Sequence, residues 1–186
     1  MANKPLPCPT LLRQLLRYEP ETGKLFWRAR GARWFPDGYH SRTSYAKSWN
    51  AQYADKEAFT AKTNGYPYGA MFCTNFFAHR LIWKLVTGDD PEQVDHINGD
   101  RADNRWPNLR NVSNLENARN RKILDRNTSG HTGVYREKRT QRWVAYINGN
   151  GKKKHLGTFD AFDEAVAARR KAEKDMGFHK NHGRAV

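Results

Sequence analysis

Cysteine is scarce in this chain. Cys8 and Cys73 are the only two, and neither belongs to a CxxC pair. A structural zinc site built on cysteines is therefore excluded, and two isolated thiols suit a reducing cytosol. No apolar run approaches the roughly 20 residues that a membrane span requires. The N-terminal stretch MANKPLPCPTLLRQLLRYEPETG is too polar for an export signal. Apolar residues are also thin, at 38% against a globular average of about 45–50%. That fits small cores or one large basic surface. Acidic residues are outnumbered: 19 Asp and Glu face 33 Lys and Arg, for a net charge of +14. Such a field attracts polyanions and releases their counterions, so nucleic acid is the expected partner. Aromatics are not lacking, with six Trp, eight Tyr and nine Phe, which excludes a wholly disordered chain. A length of 186 residues fits one compact domain or two small ones.

Along the chain, Leu11, Leu12, Leu15 and Leu16 share one helical face in Thr10–Tyr18, with Thr10 as a candidate cap. Pro20 and Gly23 end that helix, and GKLFWRAR reads as a strand. Residues 29–60, with Gly31, Pro36 and Gly38, read as an irregular loop or insertion. Gly65–Phe77 reads as one or two short strands, and HRLIWKLVTG as a helix stopped by Gly88. Asp89, Asp90 and Pro91 link it to the next unit.

The chemistry concentrates in residues 92–125. Asp95 and His96 stand together at the end of a short apolar run. Asn108 follows thirteen residues after Asp95, and Asn117 twenty-two after it. The segment between Asp95 and Asn108 is rich in Gly, Asn and Asp, as a loop joining two strands would be. Ser113 and Glu116 have the spacing of a capping box, so Asn117 falls in the second turn of a helix, with Asn120 on the same side. The order is strand, loop, strand, helix. Phosphodiester hydrolysis needs a base for water, a Lewis acid for charge on the phosphate, and a group that orients the base. Neutral His suits the first role, and Asp and Asn oxygens suit a hard divalent ion. The bland alternative is that these residues are turn and cap groups of a binding domain.

The strings DHINGDRADNRWPNLR and SNLENARN, with the upstream LLRYEPETGKLFW and AHRLIW, resemble the HNH endonucleases of phage and intron-homing type, which have a ββα-metal fold. By that resemblance His96 is the general base and Asn108 positions it. Asp95 and Asn117 hold one divalent ion, Mg2+ with Mn2+ as the alternative. The third position is Asn117 where many HNH enzymes carry His, and the homing branch often has Asn. Double-stranded DNA is the implied substrate. The chain would act as a monomer, or as a dimer if both strands are cut, in the cytoplasm (the host's, if phage-encoded). Arg101, Arg105, Arg110, Arg119 and Arg121 surround the site and are candidates for phosphate contacts. His79 and Arg80 are expected to be mainly structural, with Arg80 also within possible reach of DNA.

The turn-rich NTSGHTG, Asn127–Gly133, reads as a domain boundary. Beyond it, VYREK, RWVAYIN and KKHLGTF read as three strands. A helix over Asp160–Met176 follows, with Ala161, Ala165, Ala168 and Ala172 at helical spacing, Asp160 as its N-cap and Gly177 as its stop. This segment resembles the DNA-binding domain of plant ethylene-response factors, in GVY, WVAYI, LGTF and the Ala-spaced helix. That family lays a three-stranded sheet in the major groove. Independently, alternation puts Trp143, Ala145 and Ile147 toward the helix, and Arg142, Val144, Tyr146 and Asn148 on the outer face. Tyr135, Glu137, Lys153 and His155 occupy corresponding outer positions. Lys138, Arg139 and Lys152 are candidates for phosphates. Tyr135, Glu137 and Tyr146 replace arginines of the plant pattern, so plant target sequences do not carry over.

The expected architecture is thus α+β. A ββα-metal nuclease domain (1–126, core 92–125) precedes a three-stranded antiparallel sheet packed on one helix (127–178) and a basic tail (179–186). The expected function is a metal-dependent DNA endonuclease. The competing readings are a DNA-binding transcriptional regulator with an inactive HNH fold, and an RNA-binding basic protein. No RNP-like or GXXG motif supports the last.

Overall fold

Pro9, not Thr10, starts the first helix, because a proline at the first helical position gives up an N–H that would be unsatisfied anyway. In the computed structural model helix α1, Pro9–Leu15, has Cys8 at its N-cap with no side-chain cap. The structure describes residues 5–113, 116–117, 127–149, 152–178 and 182. The chain divides into two compact units, Met1–Val112 and Ser113–Val186.

In the first unit α1 runs directly into strand β1, Leu16–Glu19. The leucine spacing assigned Leu16, Arg17 and Tyr18 to the helix. They are strand instead, because Leu16 pairs with Trp27 of β2, Lys24–Trp27, and is buried there as well as it would be on a helix. Strand β3, Glu57–Ala58, completes an antiparallel sheet in the order β1-β2-β3.

Residues 29–60 are not an irregular loop. They contain a 3-10 turn, Ala32–Trp34, and a twelve-residue helix α2, Arg42–Tyr53. No apolar stripe announces α2, since Ala46 is its one buried residue. It is held by other means. Ser41 caps it, accepting from the Ser44 N–H, and Trp49 packs edge-on against Trp27 at 5.8 Å. Asn50 accepts from the Arg30 N–H and donates to the Arg30 carbonyl.

Strands β4 (Ala61–Thr63), β5 (Tyr66–Met71) and β6 (Thr74–Phe77) form an antiparallel meander. Helix α3, Ala78–Thr87, follows as expected, and Gly88 takes the left-handed conformation just past its end. Leu12, Leu15, Leu16, Leu25, Leu81 and Ile82 form the centre of the core. Strands β7 (Gln93–His96) and β8 (Leu109–Val112) make an antiparallel hairpin, with a 3-10 turn at Trp106–Asn108 before β8.

In the second unit the capping box is present. Glu116 accepts from the Ser113 N–H, and Ser113 Oγ accepts from the Glu116 N–H. Of the helix expected here, Glu116 and Asn117 are the described residues; Asn120 and Arg121 lie outside them. Strands β9 (Val134–Arg136), β10 (Trp143–Gly149) and β11 (Lys152–Phe159) form an antiparallel sheet with β10 central. Helix α4, Phe162–Asp175, packs on it through Ala165 and Val166 against Val134 and Ala145. Its N-cap is Ala161 rather than Asp160, whose carboxylate is taken by Arg142 at 2.6 and 3.1 Å. Val144 is also buried rather than outward-facing; it sits between its cross-strand partners Tyr135 and Thr158.

Candidate active site

The hairpin β7–β8 carries Asp95 and His96 in consecutive strand positions, so their side chains project to opposite faces. Val94 and His96 point to the buried side, and Asp95 and its cross-strand partner Arg110 to the other. His96 is 3% exposed. Its Nε2 lies 2.9 Å from Oδ1 of Asn104, which is itself 2% exposed. A carboxamide oxygen only accepts, so Nε2 carries the proton and Nδ1 keeps the lone pair. This leaves Nδ1 as the basic nitrogen. The ring rests against Tyr66 of β5 at 5.8 Å and edge-on against His79 of α3 at 5.3 Å. Burial, with His96 and Arg80 adding to it, pushes His79 down to about 3. His79 is therefore a neutral wall at any ordinary pH. Its Nδ1 is buried and has no hydrogen-bond partner among the described residues.

In the sequence, DRADN reads only as loop, and nothing there singles out Asn104. The expected partner of the imidazole was Asn108. That residue instead acts on the main chain: its Oδ1 accepts from the Asn98 N–H at 2.9 Å, and its Nδ2 donates to the Asp103 carbonyl at 2.7 Å. Its carbonyl also accepts from the Ile97 N–H. Asn108 thus holds the turn leaving His96, and Asn104 holds the ring. Asn108 closes the 3-10 turn before β8, where main-chain groups of Asn98 and Asp103 are in reach, whereas Asn104 lies in the loop against the ring.

The loop is self-supporting. Asn98 and Asp100 side chains accept from backbone N–H groups two residues on, and Asn98 donates to the Asp103 carboxylate. Arg105, bonded to both carboxylate oxygens of Asp103, holds that group down at about 2. Two groups of the β1–β2 hairpin press on it from outside. Tyr18 donates its hydroxyl to the Asn104 carbonyl at 2.8 Å, and burial pushes that phenol up to about 12, so it stays a donor. Gly23, at φ +74°, sits so close that a Cβ would meet the Arg105 nitrogen at 2.5 Å.

On the other face, Asp95 Oδ2 receives Arg110 Nε at 2.9 Å and Nη2 at 2.6 Å. Arg110 is thus engaged at the site rather than extended from it. Arg101 lies over the Tyr66 ring at 4.9 Å and donates to the Asn64 carbonyl, which places it beside the aromatic wall of His96. Arg80 is tied to the carbonyls of Pro91 and Glu92, a structural use. Among the described residues, no three His, Cys, Asp or Glu side chains gather as a metal centre. Asp95 supplies a single carboxylate whose charge a guanidinium compensates.

In the second unit, Asn117 donates its backbone N–H to the Ser113 carbonyl in the first helical turn. The sheet gathers Tyr135, Tyr146 and Lys153 on one face: the Lys153 ammonium lies 3.9 Å from the Tyr146 ring, and the two tyrosine rings are 6.0 Å apart. Asn148 pairs with Lys153, and Tyr146 with His155, across β10 and β11. Lys138 and Arg139 are exposed in the β9–β10 turn. Arg142 is paired with Asp160 on the surface and is not presented alone.

Among known proteins, the chain is similar to Protein 3.8 of Escherichia phage T7, 29% identical over 87 residues, which is 46% of this chain and 72% of that protein. No solved structure matches the chain. Residues 76–119 match the family described as HNH endonuclease. The matched stretch runs from β6 through α3 and the β7–β8 hairpin to beyond Asn117, and so takes in Asp95, His96, Asn104 and Asn108: an HNH nuclease domain is what the family comparison supports for this region.

Proposed function

We propose that the chain is a metal-dependent DNA endonuclease of the homing type that nicks or cleaves double-stranded DNA. The supporting observation is the His96–Asn104 hydrogen bond at 2.9 Å, inside the stretch that matches the HNH family. In this reading Nδ1 of His96 takes the proton of a water that attacks the phosphorus in line. Asn104 accepts the Nε2 proton throughout and so stabilises the imidazolium that forms. Asn108 keeps the His96–Asn98 backbone in place while the ring changes charge. Arg101 contacts a phosphate next to the scissile one. The family resemblance names Asp95 and Asn117 as the groups that hold the divalent ion in a ββα-metal arrangement, with Mg2+ first and Mn2+ second. When bound, that ion would offset charge developing on the phosphate and the leaving 3′ oxygen.

The second unit, in this proposal, is an ethylene-response-factor-type module whose sheet enters the major groove. Tyr135, Arg142, Tyr146, Asn148, Lys153 and His155 would read or line the groove, and Lys138, Arg139 and Lys152 would contact phosphates. For Arg142 the reading requires DNA to displace Asp160. Arg121, beside the nuclease motif, would contact a phosphate flanking the scissile bond.

Relaxation of supercoiled plasmid with Mg2+ or Mn2+ tests this reading, comparing wild type, His96→Ala and an EDTA control. Metal-dependent nicking that the variant loses is the expected result. One observation favours a second reading, a DNA-binding regulator with an inactive HNH fold: His96 has only 3% of its surface open, and Asp95 is already paired. Duplex binding without cutting under either ion would establish that reading and sink the first.

A further inference from the structure

Away from the His96 site, the first unit has a cavity of about 490 Å³ lined by Arg13, Arg17, Arg28, Arg33, Trp34 and Asp55, among others. Four guanidiniums converge here from three separate segments: α1 and β1, the end of β2, and the 3-10 turn. Their partners are unusual. Arg17 pairs with Glu19 at 3.3 Å, but Arg13, Arg28 and Arg33 have no carboxylate partner among the described residues. Each is instead oriented by a neutral acceptor. Arg13 donates to the Leu85 carbonyl at 3.0 Å, Arg28 to the Leu16 carbonyl at 3.1 Å, and Arg33 to the Gln14 side chain at 3.3 Å.

A guanidinium has five N–H donors, and these bonds consume one on each. The other donors can meet a ligand, and each bond restrains an otherwise exposed side chain, which lowers the ordering cost of binding. Four guanidiniums stand here against the carboxylates of Asp55 and Glu19, an excess of positive charge that a ligand carrying several negative charges offsets. Fork-shaped donors match phosphate oxygens in particular. The Trp34 ring, with Arg33 5.7 Å from its centre, gives the cavity one flat wall against which a sugar or base can lie.

We infer that this cavity is a phosphate-binding site that grips the backbone of the DNA duplex away from the scissile bond. The inference rests on the nuclease reading for its choice of ligand but not for its geometry. A duplex threading this site would be held by the first unit independently of any contact made by the second.

The test is fluorescence anisotropy of a labelled duplex titrated in EDTA at several salt concentrations. Wild type is compared with Arg13→Gln/Arg33→Gln and with the charge-matched control Lys47→Gln/Lys62→Gln, whose lysines are exposed and lie outside the cavity. Circular dichroism confirms that each variant is folded, and Arg28→Gln serves if the double cavity variant is not. Loss of two phosphate contacts should lower the salt slope by about 1.8 and weaken binding on the order of tenfold or more at 0.1 M salt, with the lysine control near wild type. Equal weakening by the control means a diffuse field and overturns the inference. An unchanged slope overturns it too. If instead calorimetry shows wild type binding inorganic pyrophosphate, the cavity variant losing it, and the duplex slope intact, the cavity takes a free phosphate ligand and the DNA assignment falls. Plasmid nicking by the same variants separates the two readings. A lowered slope without nicking by wild type removes the nuclease and keeps the site; nicking with an unchanged slope does the reverse.

Discussion

At the residue scale, His96 gains its chemical direction from one neighbour. Asn104 accepts from Nε2 and so sets the tautomer, and Tyr18 holds Asn104 by its carbonyl. Asn104→Ala should lower the nicking rate about 10- to 100-fold with duplex binding unchanged, while Asn104→Asp, which keeps an acceptor oxygen, should recover part of the loss. Single-turnover nicking measures this; a rate equal to wild type in the alanine variant would remove Asn104 from the mechanism. Arg110 and Asp95 form the opposite kind of pair, one in which a guanidinium holds the place of a cation. Arg110→Met removes two guanidinium hydrogen bonds from a carboxylate that is 11% exposed, a loss of about 1–3 kcal/mol. With that cation gone, Mn2+ should raise the melting temperature of this variant more than that of wild type. Thermal melts with and without Mn2+ decide it, and equal shifts would argue that Asp95 does not see the ion.

At the element scale, the β1–β2 hairpin is a buttress for the loop between β7 and β8. Gly23 has a left-handed backbone and a Cβ position already occupied by the Asn104–Arg105 peptide. Gly23→Ala should therefore cost about 2 kcal/mol or more in urea unfolding, through both strain and collision. A cost below half of that would mean the hairpin and loop are free to move apart. In the second unit the corresponding staple is Arg169 of α4. It is 3% exposed, donates to the Tyr146 carbonyl at 2.6 Å and to Glu173 at 2.7 Å, and so ties the helix to the central strand. Arg169→Ala leaves Glu173 and that carbonyl without their donor, and should destabilise by about 3–5 kcal/mol in denaturant titrations followed by circular dichroism. Helix α2 teaches the same lesson from the other side: a helix can be sited by a cap and a few aromatic edges with almost no apolar face, and a search for periodicity does not register it.

For the whole molecule, the charge of +14 is the property with the longest reach. If duplex DNA is contacted at 6–10 phosphates, log K should fall against log salt with a slope of about −5 to −9, read by the same anisotropy titration. A slope near zero would leave the basic surface without a polyanionic ligand. Legibility in the sequence followed the range of the forces involved. Local signals carried far: the Ser113–Glu116 box, the Gly88 stop, the Asx-rich loop, the β7–β8 hairpin and the three strands before α4 all stand where residue type and spacing put them. Capping and turn formation involve neighbours a few residues apart, so the sequence displays both partners at once. The boundary of α1, the N-cap at Ala161 and the burial of Val144 went otherwise, because each was decided by a strand or a guanidinium elsewhere in its unit. The amino-acid sequence by itself determined the net charge of +14, the capping box at Ser113 and the Asp95–His96 hairpin. Only the tertiary structure decided that Asn104 rather than Asn108 meets the imidazole, that Arg110 answers Asp95, and that arginines from separate segments line one cavity. Those are meetings between residues whose distance along the chain says nothing of their distance in space.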